Sequence, residues 1–197
     1  MARPRTFDQQ QVLDQAMDVF WRHGYDGASF AELTKAMNLN APSIYAAFGS
    51  KRGLFDAVLQ RYQQRRAAHR ESVSAAPTAR AAAERMLFGA IDWLTDPAEP
   101  AGCLLFQSGL ACSTTAPDIP PLLVQRRANI LKLLTERFTR AQAEGDLPAS
   151  ADPAALARYI QTVFSGLAIQ AAAGVAKLDL QADAAQALRG WPGDGGE

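Results

Sequence analysis

The sequence predicts an all-α protein, and three observations carry that prediction. Apolar residues recur at three- and four-residue steps along most of the chain. Helix-opening and helix-closing residues punctuate those runs, and no segment alternates apolar and polar residues for long enough to build a strand. The 197 residues suffice for one large core or two small ones. At 48% apolar and 20% charged, the composition is that of an ordinary globular protein rather than a disordered one.

The elements follow in order. Asp8 and Gln11 form a polar box opening a first helix over about 8–23; Val12, Ala16, Val19 and Phe20 share one face, and Gly24 ends it. Ser29 and Glu32 have capping-box spacing for a second helix, whose Phe30, Leu33 and Met37 form a buried stripe. Asn38-Leu39-Asn40 breaks that period. Asn40 is a good N-cap, and Pro42 falls in the next first turn, where its missing N–H costs nothing. Ile44 and Phe48 then face inward, and Gly49-Ser50 ends this helix and caps another at Lys51. Leu54, Ala57, Val58, Arg61 and Tyr62 carry that helix on to about Ser74. Two short helices around a tight turn, over about 29–48, are a helix-turn-helix, which seats one helix in a DNA groove and anchors its neighbours on the phosphates.

Beyond a joint at Pro77-Thr78, a helix is expected over about 79–95, ended by Asp96-Pro97 and Pro100, and a short one within 102–113. A proline-rich turn (Pro117, Pro120, Pro121) precedes a long amphipathic helix over about 120–144, closed by Gly145. Asp152 as N-cap and Pro153 at N1 open a helix to about Ala173, and a weak last helix covers about 181–189. The predicted organisation is therefore a DNA-binding domain at 1–50, a connecting helix at about 51–74, a second, larger helical domain at 75–190 and a frayed tail at 191–197.

The N-terminal third resembles the TetR family of bacterial one-component transcriptional regulators. The match runs through Ala16, Phe20, Gly24-Tyr25, Ser29, Leu33, Ala36, Pro42, Ser43, Tyr45, Phe48, Lys51, Leu54 and Phe55, in order and in register. The resemblance implies a homodimeric repressor on a pseudo-palindromic operator, released by a small effector bound in a C-terminal helical domain. It also assigns Tyr45 to the DNA backbone; packing of that ring on the preceding helix is the alternative.

Other DNA-facing roles follow from chemistry. Ser43 and Asn40 can hydrogen-bond a phosphate or a base edge, and Ala41 and Ala46 can touch thymine methyls. The recognition helix has no Arg, Lys or Gln, so bidentate guanine reading is not available from it, and sequence choice leans on methyl contacts and DNA shape. Lys51 opposes the macrodipole at its helix N-terminus, a placement that makes sense beside a phosphate; Ser29 offers its hydroxyl and helix N-terminus in the same way. Arg3 and Arg5 form a basic arm able to enter a minor groove. Residues 1–70 hold ten basic and six acidic side chains, a net of +4, against −4 for residues 71–197. Lys51, Arg52, Arg61, Arg65 and Arg66 add to that concentration of positive charge.

In the C-terminal part, Met86, Trp93, Phe106, Phe138 and Phe164 could line an apolar pocket with Gln107 as a polar handle, or serve as plain core. Their apolar bias favours an uncharged or aromatic ligand over a polyanion. Ile160, Phe164, Leu167 and Ala171 stripe one face of the helix from Pro153, which is either intrachain core or a dimer face. The resemblance adds that some TetR-like regulators sense oxidants or electrophiles through a cysteine, which makes Cys103 a candidate, with a small buried hydrophobe as the alternative. Its distance from Cys112, about 13 Å along one straight helix, is too long for a bridge. The absence of a phosphate loop, metal-ligand cluster or Ser-His-Asp set argues against an enzyme, so no cofactor and no metal are expected. With no apolar run of membrane-spanning length and no leader-like start, the expected location is the cytoplasm.

Overall fold

A computed structural model describes residues 8–110 and 116–192. Arg3, Arg5, Cys112 and residues 193–197 lie outside the described residues. What is described is helical, without a strand, as the periodicity requires, and no described helix is long and apolar enough to cross a membrane.

Helix α1 (Gln9–Gly27) starts where the Asp8 carboxylate accepts the Gln10 and Gln11 N–H groups. Gly24 interrupts it at φ 70°, a left-handed value that glycine adopts without a Cβ penalty. Helix α2 (Phe30–Met37) carries the full capping box between Ser29 and Glu32. Its end turns on Asn38 at φ 49°, one of the few non-glycine residue types that tolerate this region. In α3 (Ala41–Phe48), Asn40 Oδ1 accepts the Ser43 N–H at 2.9 Å and Pro42 sits in the first turn. Helix α4 (Lys51–Arg65) opens at Ser50, whose hydroxyl accepts the Gly53 N–H. At Gly53 a Cβ would overlap the Phe48 carbonyl oxygen, so glycine there lets α4 start tight against the end of α3. Phe20, Leu33, Ile44, Leu54 and Phe55 close the core beneath α1–α4 without exposure, and the Phe20 and Phe55 rings meet edge-on at 4.9 Å.

The single helix expected over 51–74 is two. Arg66 (φ −95°, ψ 6°) separates α4 from α5 (Ala67–Ser74). The bend seats its guanidinium over the Trp93 ring at 4.3 Å and the Tyr62 ring at 5.2 Å, in an ion pair with Glu99. Trp93 and Glu99, 27 and 33 residues away in sequence, are invisible to a helical-periodicity reading.

The C-terminal bundle comprises α6 (Ala79–Leu94), α7 (Leu104–Leu110), α8 (Ile119–Ala143), α9 (Pro153–Ala172) and α10 (Lys177–Ala187). Helices α6, α8 and α9 pack on one another, α5 lies against α6 and α8, and α7 reaches back to α1. Asp146 accepts the Ala79 N–H at 2.6 Å and Arg137 donates to the Ala76 carbonyl, fastening the joint before α6. Helix α10 begins four residues earlier than expected, and Leu180, Ala184 and Leu188 bury its inner face. Trp191, read as the start of a frayed tail, is buried and meets Phe138 at 5.5 Å.

The face of α9 offered for dimerisation also needs correction. Ile160, Phe164, Leu167 and Ala171 are all buried inside the subunit. A helix at the rim of a bundle turns its most apolar stripe inward, so the residues left outside are the less obvious ones. On α8 and α9 these include Val124, 57% exposed, and Ile169, 46% exposed.

Candidate nucleic-acid interface and ligand cavity

The outer surface of α3 is what the N-terminal helices present. With Ile44 buried and Phe48 half-buried, Tyr45 and Ala46 stand on the solvent side and Ala41 and Ser43 are half-exposed. Tyr45 is 51% exposed, yet its ring stacks on Phe30 of α2 at 4.8 Å, so the packing alternative is realised while half of the side chain stays open to solvent. The stack fixes the ring and leaves its hydroxyl outward. Lys51 Nζ lies 4.8 Å over the Tyr25 ring, a cation–π contact that aims the ammonium. Partial burial there pulls its pKa below the ordinary lysine value.

Ser29 is engaged in the capping box that its spacing predicts and does not hold its hydroxyl free for a phosphate. Its hydroxyl donates to Glu32 Oε2 at 2.7 Å and accepts the Glu32 N–H at 3.1 Å. These hydrogen bonds, together with the Ser29 N–H, hold the Glu32 carboxyl below its usual range. A carboxylate therefore already occupies the N-terminus of α2. The Asn40 carbonyl oxygen is likewise committed to capping, which leaves its amide N–H₂ outward-facing chemistry.

The basic cluster behind the helix-turn-helix is internally neutralised. Arg61 makes a two-point contact with Asp14 at 3.0 and 2.9 Å, Arg52 pairs with Asp56 and Asp118, and Arg65 and Arg66 both pair with Glu99. These side chains tie α4 to α1 and to the C-terminal bundle instead of forming an open positive surface. Lys35, exposed in the last turn of α2, flanks a shallow groove with Asn38, Asn40 and Ala41 and has no ion-pair partner among the described residues. Sequence reading passed over it, although its position opposite Leu33 and Met37 on the helical wheel marks it as outward.

A cavity of about 180 Å³ opens between α4–α5 and the bundle. Met86, Trp93 and Phe164 line it, whereas Phe106, Gln107 and Phe138 do not. Phe106 packs edge-on against Phe164 under the Arg127 guanidinium, Gln107 sits beside Gly102, and Phe138 backs onto Trp191. What sequence reading missed is the polar wall: Tyr62, Arg66, His69, Arg70 and Arg126. Among the described residues no acidic side chain joins the lining. His69 reaches its place because Gly89 opposite has no Cβ to meet the ring, and burial next to Arg66 and Arg70 holds the imidazole below its ordinary pKa. Cys103 also lines the cavity, 1% exposed, with its sulfur 3.2 Å from the Tyr62 hydroxyl. Burial pushes both the thiol and the phenol up. Among the described residues no His, Cys, Asp and Glu group could hold a metal.

Sequence comparison joins the two regions. The profile of bacterial regulatory proteins of the tetR family matches residues 12–58, and that of the tetracyclin repressor-like C-terminal domain matches residues 80–189. The chain belongs to the TetR family. Its relatives within TetR include the transcriptional repressor ComR of Escherichia coli, 35% identical across 96% of this chain and 91% of that protein. The solved TetR-family regulator CifR, a cysteine-substituted form bound to 26 bp of double-strand operator DNA, is 40% identical, covers 96% of this chain and 100% of its own, and superposes with a TM-score of 0.92. A TetR regulator from Rhodococcus sp. RHA1 is 42% identical over 94% of this chain and 99% of its own, with a TM-score of 0.63. This chain is thus a TetR-family transcriptional regulator with a helix-turn-helix, not merely a helical protein of similar outline.

Proposed function

We propose that the protein is a repressor that binds a pseudo-palindromic operator as a homodimer and leaves it when a small molecule fills the cavity above α4–α5. The observation that carries this reading is continuity: α4 starts against the recognition helix at Gly53 and ends in Tyr62 and Arg66, which line the cavity or brace it. A ligand displacing Arg66 or Tyr62 moves the helix on which α3 rests. Such a ligand shifts the DNA equilibrium only by its differential affinity for the two arrangements.

In this reading residues 1–50 bind DNA, 51–74 couple, and 75–190 hold effector and partner subunit. Tyr45 and Lys51 contact phosphates, Lys35 adds a further cation, and Arg3 and Arg5 supply a minor-groove arm. Ala41, Ser43, Ala46 and the Asn40 amide touch base edges. Ser29 serves the fold of α2 and is not assigned a phosphate. The dimer face moves to the outer sides of α8 and α9, around Val124 and Ile169, where apolar surface remains uncovered. A regulator of this kind works where the chromosome is, in the cytoplasm.

Selection of bound duplexes from a random pool, followed by titration at two salt concentrations, tests the reading. The expected outcome is a recovered palindrome with affinity falling on the order of 10³-fold between 50 and 200 mM salt if about six phosphates are neutralised. Equal binding to scrambled duplex sinks it. Electrophile sensing at Cys103 is the second reading, favoured by the thiol's place on the cavity wall and opposed by the burial that keeps it protonated. Under it, Cys103→Ser keeps DNA binding but loses release by electrophiles. Under non-covalent release, the same variant responds normally.

A further inference from the structure

We propose that the cavity takes a small monocarboxylate built on a single aromatic ring, its carboxylate at Arg70 and its ring among Met86, Ile130 and Leu133. This rests on the reading of the cavity as the effector site and names the chemistry of what enters it.

The argument begins with charge. Three arginines line the cavity and, among the described residues, no carboxylate does. Arg66 is compensated by Glu99. Arg126 donates to a neutral partner, Gln63 Oε1, at 3.0 Å. Arg70 has no carboxylate within ion-pair reach among the described residues, and burial has already drawn it below the ordinary arginine value. Asp92, the acid that faces His69 electrostatically, is engaged by Lys177 at 2.8 Å. A half-buried cation without a counter-ion is costly, and a carboxylate delivered to it forms charge-assisted, two-point hydrogen bonds.

Hydrogen-bond capacity points the same way. Trp93 Nε1 and Arg66 Nε can only donate, and both are buried without an acceptor; His69 Nε2 is buried without a partner as well. Such a wall is rich in donors and short of acceptors, so the ligand supplies acceptors. An amine or a cation brings the wrong charge and the wrong hydrogen-bonding sense. Size selects the body of the ligand: an apolar cavity of roughly 150 Å³ admits benzene, and this one measures about 180 Å³. The opposite wall of Val73, Met86, Leu105, Ile130 and Leu133 is apolar and suits one ring. The aromatic body agrees with the aromatic or uncharged ligand that the sequence favours over a polyanion; the single carboxylate is added because the arginines enter from the α4–α5 bend, α5 and α8, outside the apolar stripes.

The test titrates benzoate, benzamide and benzylamine into the full-length protein, following tryptophan fluorescence and calorimetric heat, with Arg70→Gln, Arg70→Lys and Arg158→Gln beside the wild type. Benzoate is expected to bind at least about tenfold more tightly than its isosteric amide, and benzylamine not at all. Arg70→Gln removes the preference, Arg70→Lys retains most of it, and Arg158→Gln, distant and exposed, leaves it unchanged. Benzamide binding as well as benzoate, a preference that survives Arg70→Gln, or no benzoate binding overturns the proposal. If Arg70→Gln fails to fold, the wild-type ratio of benzoate to benzamide decides alone. Operator release is scored separately by fluorescence anisotropy. Benzoate that binds without releasing DNA upholds the carboxylate site and refutes its role as effector site, whereas release by benzamide alone does the reverse.

Discussion

The N-terminal helices and the C-terminal bundle treat their charged and apolar groups in opposite ways. Around α1–α4 the core is filled by Phe20, Phe55 and their neighbours, and the arginines of α4 are matched by Asp14, Asp56 and Glu99. In the bundle, a void persists beside Trp93 and Phe164, and Arg70, Trp93 and His69 keep unmatched polar groups around it. Unmet donors are not confined to one region, since Trp21 Nε1 in α1 is also buried without a partner; what sets the second region apart is that Trp93, His69 and Arg66 gather theirs around one void. In the proposed reading the N-terminal region works through a surface and the bundle through a cavity.

The largest way to break that contrast is through packing. Phe20→Ala should cost about 3–5 kcal/mol, because the ring is enclosed on every side. Leu133→Ala, on the half-buried cavity wall, should cost less than ~2 kcal/mol because the site already borders a void. Urea unfolding of both variants measures this, and equal losses would mean the cavity wall is as tightly packed as the N-terminal core.

Next comes coupling. Arg66→Ala removes the guanidinium that bridges Trp93, Tyr62 and Glu99 at the α4–α5 bend. DNA affinity without effector should change little, while effector-induced release should weaken by a coupling energy of about 1–3 kcal/mol. Anisotropy titrations with and without effector read it; undiminished release would place the coupling elsewhere.

Surface function gives a smaller effect. Tyr45→Phe keeps the stack on Phe30 and removes only the outward hydroxyl, so operator binding should weaken by about 1 kcal/mol and equally on all sequences. Ala46→Val should instead alter base preference at one position of each half-site. If Tyr45→Phe changed preference, its assignment to the backbone would be wrong.

The smallest concerns the cap of α2. Ser29→Ala should cost about 1 kcal/mol in thermal denaturation at neutral pH. The Glu32 pKa is lowered in the folded state by its hydrogen bonds to Ser29. Its contribution is therefore present above the unfolded glutamate pKa and fades as pH falls through the folded one. The gap between wild type and Ser29→Ala should narrow on acidification; a constant gap would remove Glu32 from the account.

Much of this was readable in the chain. The caps at Asp8, Ser29, Asn40, Ser50 and Asp152, the turn at Asn38, and the inward positions of Leu33, Ile44 and Leu54 stand as their spacing requires. Recognition of the helix-turn-helix needed nothing beyond residues within four positions of one another. The cavity was half legible: Met86, Trp93 and Phe164 announce themselves as large apolar groups, but nothing local distinguishes a wall from a core. Ile160 and Leu167 misled for the same reason, since an apolar stripe says that it is buried and not by what.

What the sequence alone determined is the helices, apart from the break at Arg66, and the helix-turn-helix motif, because caps, turns and amphipathic periods are short-range and each is complete within a turn or two of chain. Tertiary structure decided which arginines are neutralised and which remain charged in the cavity. Arg61 finds Asp14 across 47 residues and Arg65 finds Glu99 across 34, while Arg70 finds no acid among the described residues. A charge is quenched or left active by whatever the fold brings within a few ångströms, and that distance is not written in the spacing of residues along the chain.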